Sequence, residues 1–320
     1  MSAEDERTRG RGLNGPAPEA PRAGSTVSEL LRRCWFPAPG TEVDCAISGG
    51  PDSLALLVLA VEADLQVTAH HVDHGLRPGS AAEAELVHAA AERFGAAFRS
   101  HSVVVEPGPN LEARARKARY DVLPAGVLTG HTMDDQAETV LLNLMRGAGL
   151  DGLAGMTPYR RPLRALRRSD TVALCAELEL TPLHDSSNDD PRFRRNRVRH
   201  ELIPLLDDIA DRDVVPILVR QSNLLRDDAE LLGEHADRAL ANLETNVALA
   251  AELPPAIVRR AIRKWLRNHG YGRDELHPPD AKAVERILAV VRSEAVGCDI
   301  GQGWRVTRRN NRLRLHSPDS

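Results

Sequence analysis

Between Glu42 and His131 the chain alternates between two periodicities. The short apolar runs Val43 to Ile47, Gln66 to Val72, Phe98 to Val105 and Gly126 to Thr129 have the length and composition of strands, and a segment of helical spacing follows each of them. Helices are expected at Asp52 to Glu62, Ala81 to Phe94, Asn110 to Val122 and Asp134 to Arg146, with Ser80 and Asn110 as N-caps. This alternation predicts an α/β fold, a Rossmann-like parallel sheet with helices on both faces, whose ligands bind at the carboxyl ends of the strands. A short helix is expected at Ser169 to Glu179 with Ser169 as cap, then a loop from Thr181 to Asn196. Past Leu202 the pattern turns helical, at Asp213 to Ala239, Pro254 to Asn268 and Asp280 to Ser293. From Cys298 to Leu315 apolar positions alternate about an Arg-Asn-Asn turn, which reads as a hairpin with a basic face. The expected organisation is a disordered extension over 1–25, which has almost nothing to bury, an α/β domain over 26–211 and a smaller, mainly α-helical domain over 212–320.

Composition narrows the class. A chain of 320 residues with 42% hydrophobic content suffices for two domains with cores of their own. Its apolar runs fall far short of the roughly 20 residues that span a bilayer, and the first 25 residues carry charges, Pro and Gly instead of a signal-peptide core. A cytoplasmic protein with no membrane partner is therefore expected. Cys34, Cys45, Cys175 and Cys298 contain no Cys-x-x-Cys pair, so no zinc knuckle, iron–sulfur site or disulfide framework is indicated.

The net charge of −4 argues against a polyanion partner, but the distribution of charge reverses that. Three stretches, Arg192 to Arg199, Arg259 to Arg267 and Trp304 to His316, each carry five Arg or Lys and no acid. One such stretch is usually a solvated face; three in the second half point to a polyanion. Arg263, Lys264, Arg308 and Arg309 are the expected contacts outside the first stretch. With 3% aromatic residues, base stacking is not the main binding mode.

The segment Cys45 to Ser53 runs from a strand into Ser48-Gly49-Gly50-Pro51-Asp52-Ser53 and then into an apolar helix. Two glycines alone mean no more than a strand-to-helix turn. With serines on both sides and an acid at the helix start they form a phosphate cradle: glycine lets backbone approach the ligand, the helix amides supply positive dipole, and the hydroxyls donate. Asp52 can help to hold magnesium. The Gly-x-x-x-x-Gly-Lys-Ser/Thr pattern is absent, and no lysine lies near the loop.

Helical spacing after His131 puts Asp134 or Asp135 and Glu138 on one face. One acid there is as readily a cap; three acids and a histidine beside a phosphate loop can hold magnesium, orient an amine and take its proton. Arg116 or Arg119, on a basic helix, could reach phosphate, and an exposed basic face explains that helix equally well. In His70-His71-Val72-Asp73-His74, adjacent strand histidines face opposite ways, so a metal site is rejected; Asp73 and His74 are expected to line the nucleotide pocket.

The loop resembles the pyrophosphatase loop of the ATP-pyrophosphatase (PP-loop) superfamily. The ordered set SGGPDS, HHVDHGLRPGSAAEAE, NLEARARKARY, GHTMDDQAETVLLNLMRGAGLDGLAGM, RPL and HDSSNDDPRFRRNRVRHELIPLL is similar to the tRNA(Ile)-lysidine synthase family over about Val43 to Leu206. The resemblance implies ATP and Mg2+ as cofactors, and isoleucine tRNA with a CAU anticodon and free L-lysine as substrates. It implies adenylation of the wobble cytidine, attack by the lysine ε-amine, and release of AMP and pyrophosphate. It makes 26–211 the catalytic domain and 212–320 the tRNA-binding domain. By position, Ser48, Gly49, Gly50, Pro51, Asp52 and Ser53 fall to ATP, and Asp52, His131, Asp135 and Arg116 to the chemistry. Asp135 and Glu138 are candidates for lysine, Asp52 and Asp134 for the metal, and Arg195 and Arg197 for tRNA. Arg164 stands where a second Leu is usual, His184 to Asn188 is a loose version of the family loop, and an extra carboxyl-terminal domain of longer members is not expected.

Other readings predict different residues. The absence of cysteine pairs weighs against a PP-loop tRNA thiolase or a sulfate-activating enzyme, and ammonia-using relatives such as NAD synthetase leave the arginine clusters unexplained. A non-catalytic tRNA-binding module would not keep Asp52, His131 and the acids together. Oligomeric state, a homodimer included, stays open.

Overall fold

The computed structural model describes residues 25–73, 80–104, 111–183, 189–271 and 279–318, and it divides into two compact units, Met1–Leu142 with Met156–Val219 and Asn143–Gly155 with Arg220–Ser320. Residues 1–24 of the expected extension, His74, the Asn110 cap and the 184–188 loop lie outside the described residues.

In the first unit α1 (Ser25–Arg33) precedes β1 (Glu42–Ala46), α2 (Pro51–Glu62), β2 (Gln66–Asp73), α3 (Ser80–Arg93), β3 (Ala97–Ser102), α4 (Leu111–Val122), β4 (Leu128–Thr129) and α5 (Met133–Met145). All strand pairs are parallel, in the order β3-β2-β1-β4, so β1 and β4 lie side by side and present their carboxyl ends together. α2 is apolar all round because it is covered all round: every residue from Ser53 to Ala60 is buried. Leu54, Leu56, Leu57 and Leu59 are essentially inaccessible, and each contributes about 2 kcal/mol of burial. They pack in one core with Cys45, Ile47, Val67, Ala69, Val87, Leu163 and Leu174.

α6 (Leu150–Leu153) belongs to the second unit, and α7 (Arg168–Glu177) returns to the first. There the chain continues through α8 (Arg194–Arg197), a π turn at Val198–Leu202 and α9 (Ile203–Ala210). Val198, Ile203, Val214, Val215 and Val219 pack on Ala137 and Leu141 of α5, which fixes the arginine-rich segment against that helix.

α10 (Val215–Thr245) runs on into the second unit, which continues with α11 (Val247–Ala251), α12 (Pro255–Asn268) and α13 (Ala281–Val291) and ends in the antiparallel sheet β5-β6-β7 (Gly297–Gly301, Trp304–Arg309, Arg312–His316). Trp265, Ile262, Val284 and Ile287 form its core with Val306 and Leu313 from the sheet. Asn310 and Asn311, at φ +50° and +58°, make the two-residue turn between β6 and β7 that the Arg-Asn-Asn signal implies.

Three details differ from expectation. The amphipathic helix α1, which buries Val27 and Leu30, is not among the expected elements. β3 stops at Ser102, and the Val103 amide then donates to the Asp73 carbonyl. α7 starts at Arg168 with Arg167 as N-cap in place of Ser169, because the Asp170 carboxylate accepts the Arg167 amide at 2.8 Å and also pairs with Arg33 at 2.7 Å.

Candidate active site

The cradle lies between the end of β1 and the first turn of α2. Gly49 adopts φ +84°, and a Cβ there would collide with the Leu183 side chain, whose amide donates to the Gly49 carbonyl at 2.9 Å. Ser53 Oγ accepts the Ser48 amide at 3.2 Å and donates to the Gly50 carbonyl at 2.9 Å, closing the loop on itself. Gly50 is the N-cap of α2 with no side-chain cap bond, and Pro51 follows at the first helical position. The helix therefore starts without a capping side chain, as an anion site requires. Gly130, just after β4, lies so close that a Cβ would overlap the Asp52 backbone carbonyl. This contact brings the acid-bearing start of α5 beside the loop.

On α5, Asp135 is almost fully buried and Glu138 is wholly inaccessible. Neither carboxylate is bare. Arg168 spans three acids, with Nε on Asp52 at 3.1 Å, one Nη on Asp135 at 2.8 Å and the other on Glu138 at 3.3 Å. Arg195 bonds Asp135 at 2.9 Å and Glu138 at 2.6 Å, and Arg199 bonds Glu138 at 2.6 Å. Three carboxylates thus face three guanidiniums. Thr132 closes Asp135 with its amide at 2.8 Å and its hydroxyl at 3.2 Å, and the Thr171 hydroxyl donates to Asp52 at 2.5 Å.

The electrostatics follow from this packing. Burial opposes the charge on Asp135, but Arg168 and Arg195 outweigh it and hold the carboxyl well below the usual range. At Asp52 burial wins over the Arg168 attraction, with the Asp135 charge acting in the same upward direction, and the carboxyl is raised. Burial lowers Arg168, and the three acids more than reverse it.

Of the other expected residues, Asp134 sits outside this cluster: Arg167 bonds both of its oxygens at 3.0 to 3.2 Å, and the Arg168 amide donates to it at 2.7 Å. Arg167 also pairs with Asp213. His131 is hydrogen-bonded through Nδ1 to Thr129 Oγ1 at 2.7 Å. Arg116 falls on α4, with its side chain outside the described atoms, and Asp73 ends β2 at the carboxyl edge of the sheet. His70 and His71 bond into the sheet, His70 to Asp44 at 2.7 Å and His101 at 2.9 Å, His71 to the Ile47 carbonyl at 3.0 Å.

The expected tRNA residues divide in two. Arg195 points inward to α5, whereas Arg197 is exposed and pairs with Glu201 one turn on. In the second unit Lys264 bonds Asp237, and Arg308 is spent on the Val291 carbonyl, Ser293 and Asn311. Arg305, Arg309, Arg312 and Arg314 are exposed, and the ladder pairs Arg309 with Arg312.

Comparison with known proteins shows the family. A PP-loop domain family matches residues 24–206, and a TilS substrate binding domain family matches 246–314. A tRNA(Ile)-lysidine synthase of Rhodococcus erythropolis is 42% identical over 289 residues, which cover 85% of this chain and 87% of that protein. The chain belongs to the tRNA(Ile)-lysidine synthase family. As a member it is an ATP-dependent ligase of tRNA modification. Another member, from Mycobacterium leprae, is 41% identical over 313 residues, 89% of this chain and 96% of its own. A solved U34-tRNA thiolase of Methanococcus maripaludis aligns over 63% of this chain and 80% of its own at 18% identity and TM-score 0.48, a likeness from which no chemistry passes to this family member.

Sequence reasoning did not single out Arg168, Thr171, Arg199 or Gly130. Arg199 lay within a basic cluster, and Arg168 opens the helix after the RPL motif; spacing along the chain gives no sign that either turns inward to acids about 30 to 116 positions away. Burial pushes Cys34 and Cys45 up to about 12 and Cys175 up to about 11, and it raises Cys298 as well. Sulfur-transfer chemistry needs a thiolate. In native protein at pH 8, iodoacetamide should label all four cysteines far more slowly than in urea-unfolded protein; one rapidly labelled cysteine in the native state would contradict this.

Proposed function

We propose that the protein joins free L-lysine to the wobble cytidine of the CAU-anticodon isoleucine tRNA. The cytidine O2 attacks the ATP α-phosphorus and expels pyrophosphate. The lysine ε-amine then attacks the adjacent ring carbon, displaces AMP and loses a proton. The observation that carries this reading is the juxtaposition, within one unit, of the phosphate cradle and the buried carboxylate face of α5, linked through Arg168. The cradle suits the triphosphate and the charge that develops on pyrophosphate, and Arg116 is the guanidinium assigned to that charge.

Mg2+ fits Asp52 better than its neighbours. Among the described residues each Asp52 oxygen accepts one bond, from Thr171 or from Arg168, which leaves a lone pair for a metal. Both oxygens of Asp134 and of Asp135 already accept two. A magnesium ion bound at Asp52 would supply charge neutralisation. For lysine, Asp135 and Glu138 are the acidic face. The ammonium reaches them by exchanging with Arg195 or Arg199, which lie on one short segment, and His131 is the group assigned to take the amine's proton. The reaction belongs in the cytoplasm, where tRNA, ATP and free lysine meet.

Labelled lysine should enter isoleucine tRNA only when ATP is also supplied, and pyrophosphate should appear in equal amount. Label entering without ATP, or entering methionine tRNA equally well, would overturn the assignment. For the tRNA surface, Arg197 and the outward arginines of β6 and β7 are the proposed phosphate contacts. Arg305→Ala combined with Arg312→Ala should weaken tRNA binding and reduce its salt slope by about 2. Arg308→Ala should lower stability with the slope kept, because that guanidinium is spent inside the fold. An unchanged slope in the double variant would remove the hairpin from the binding surface.

A further inference from the structure

Among the described residues, Arg168 is the side chain that hydrogen-bonds to both halves of the proposed site. Its Nε bonds Asp52 in the first turn of α2, directly after the phosphate loop, while its two Nη atoms bond Asp135 and Glu138 on α5. Its own position is fixed twice over. The Arg168 amide donates to Asp134 at 2.7 Å, and α7 is held on α2 by the Thr171 hydroxyl on Asp52 and by Cys175 Sγ against the Pro51 carbonyl at 3.6 Å. The guanidinium is therefore a planar spacer of fixed length between the loop that takes ATP and the acids that face the incoming amine. A lysine at this position keeps the charge, but its single ammonium cannot hold three carboxylates in one plane.

We infer that Arg168 is a positioning residue that couples the two chemical steps: it fixes the acid face of α5 at the distance from the phosphate loop at which the adenylated cytidine meets the lysine amine. This inference rests on the proposed function above. It predicts that disturbing Arg168 leaves adenylation running ahead of lysine transfer, so that the adenylated cytidine is lost to water and regenerated at the expense of further ATP. The balance is plain: each futile cycle consumes one ATP and one water, releases one pyrophosphate and one AMP, and returns unmodified cytidine.

The test uses the full chain with isoleucine tRNA, ATP, Mg2+ and labelled lysine, and reads pyrophosphate released per lysidine formed. Wild type should give a ratio near one. Arg168→Lys should raise the ratio several-fold and cut kcat/KM for lysine about tenfold, with KM for ATP changed little. Thermal unfolding of the same sample establishes that the variant is folded, and Arg168→Gln serves as a second variant should the lysine prove unstable. A merely structural role would lower both products together. A ratio that stays at one in a folded Arg168 variant, with lysine KM unmoved, overturns the inference and leaves the proposed reaction standing; wild type that makes no lysidine at all refutes the reaction itself.

Discussion

The site depends on one buried charge arrangement, in which Arg168, Arg195 and Arg199 face Asp52, Asp135 and Glu138. Removing charged groups from water costs several kcal/mol each, and mutual attraction repays that only when geometry and hydrogen bonding are nearly complete. Here they are complete for Asp135, whose oxygens each accept two bonds, and for Glu138, which has no exposed surface. Such a network is a costly means of stabilising a fold. It is an effective means of fixing relative positions, because losing any member leaves an uncompensated charge indoors. Asp52 is the exception: its carboxyl is raised by burial and, among the described residues, each of its oxygens accepts a single bond, on the helix that follows the proposed phosphate loop. The place with spare coordinating capacity is thus the helix turn that directly follows the proposed phosphate cradle.

The remaining architecture sets up that arrangement. β1 and β4 lie side by side although far apart in the chain, so the helices that follow them, α2 and α5, begin next to each other. Gly130 removes the Cβ that would keep them apart, and the hydrophobic cluster of Val198, Ile203 and Val215 on α5 brings in the segment that carries Arg195 and Arg199. In the second unit, the core around Trp265 and Val306 leaves one face of the hairpin to the exposed arginines Arg305, Arg309, Arg312 and Arg314.

Much of this was legible in the sequence. The strand and helix periods gave the α/β half, the Ser48 to Ser53 segment its turn from strand into helix, and the Asn310-Asn311 turn the hairpin, because each is specified by residues close together in the chain. What was not legible depended on contacts at long range. The resemblance gives Arg195 to tRNA and says nothing of Arg168, and no local spacing shows that both are turned inward by acids on α5. The strand alternation did separate His70 from His71, but it could not supply Asp44 and His101 as the partners of His70. Inward and outward arginines on the hairpin differ by a single pleat, which explains why Arg308 and Arg309, adjacent in sequence, have separate roles.

The central claim is that Asp52 and Arg168 are coupled across the site and not merely neighbours. A double-mutant cycle with Asp52→Asn, Arg168→Gln and the pair, followed by urea denaturation, measures this directly. The account predicts a coupling energy above about 1 kcal/mol, with the double variant less destabilised than the sum of the singles; effects that add to within about 0.5 kcal/mol would contradict it.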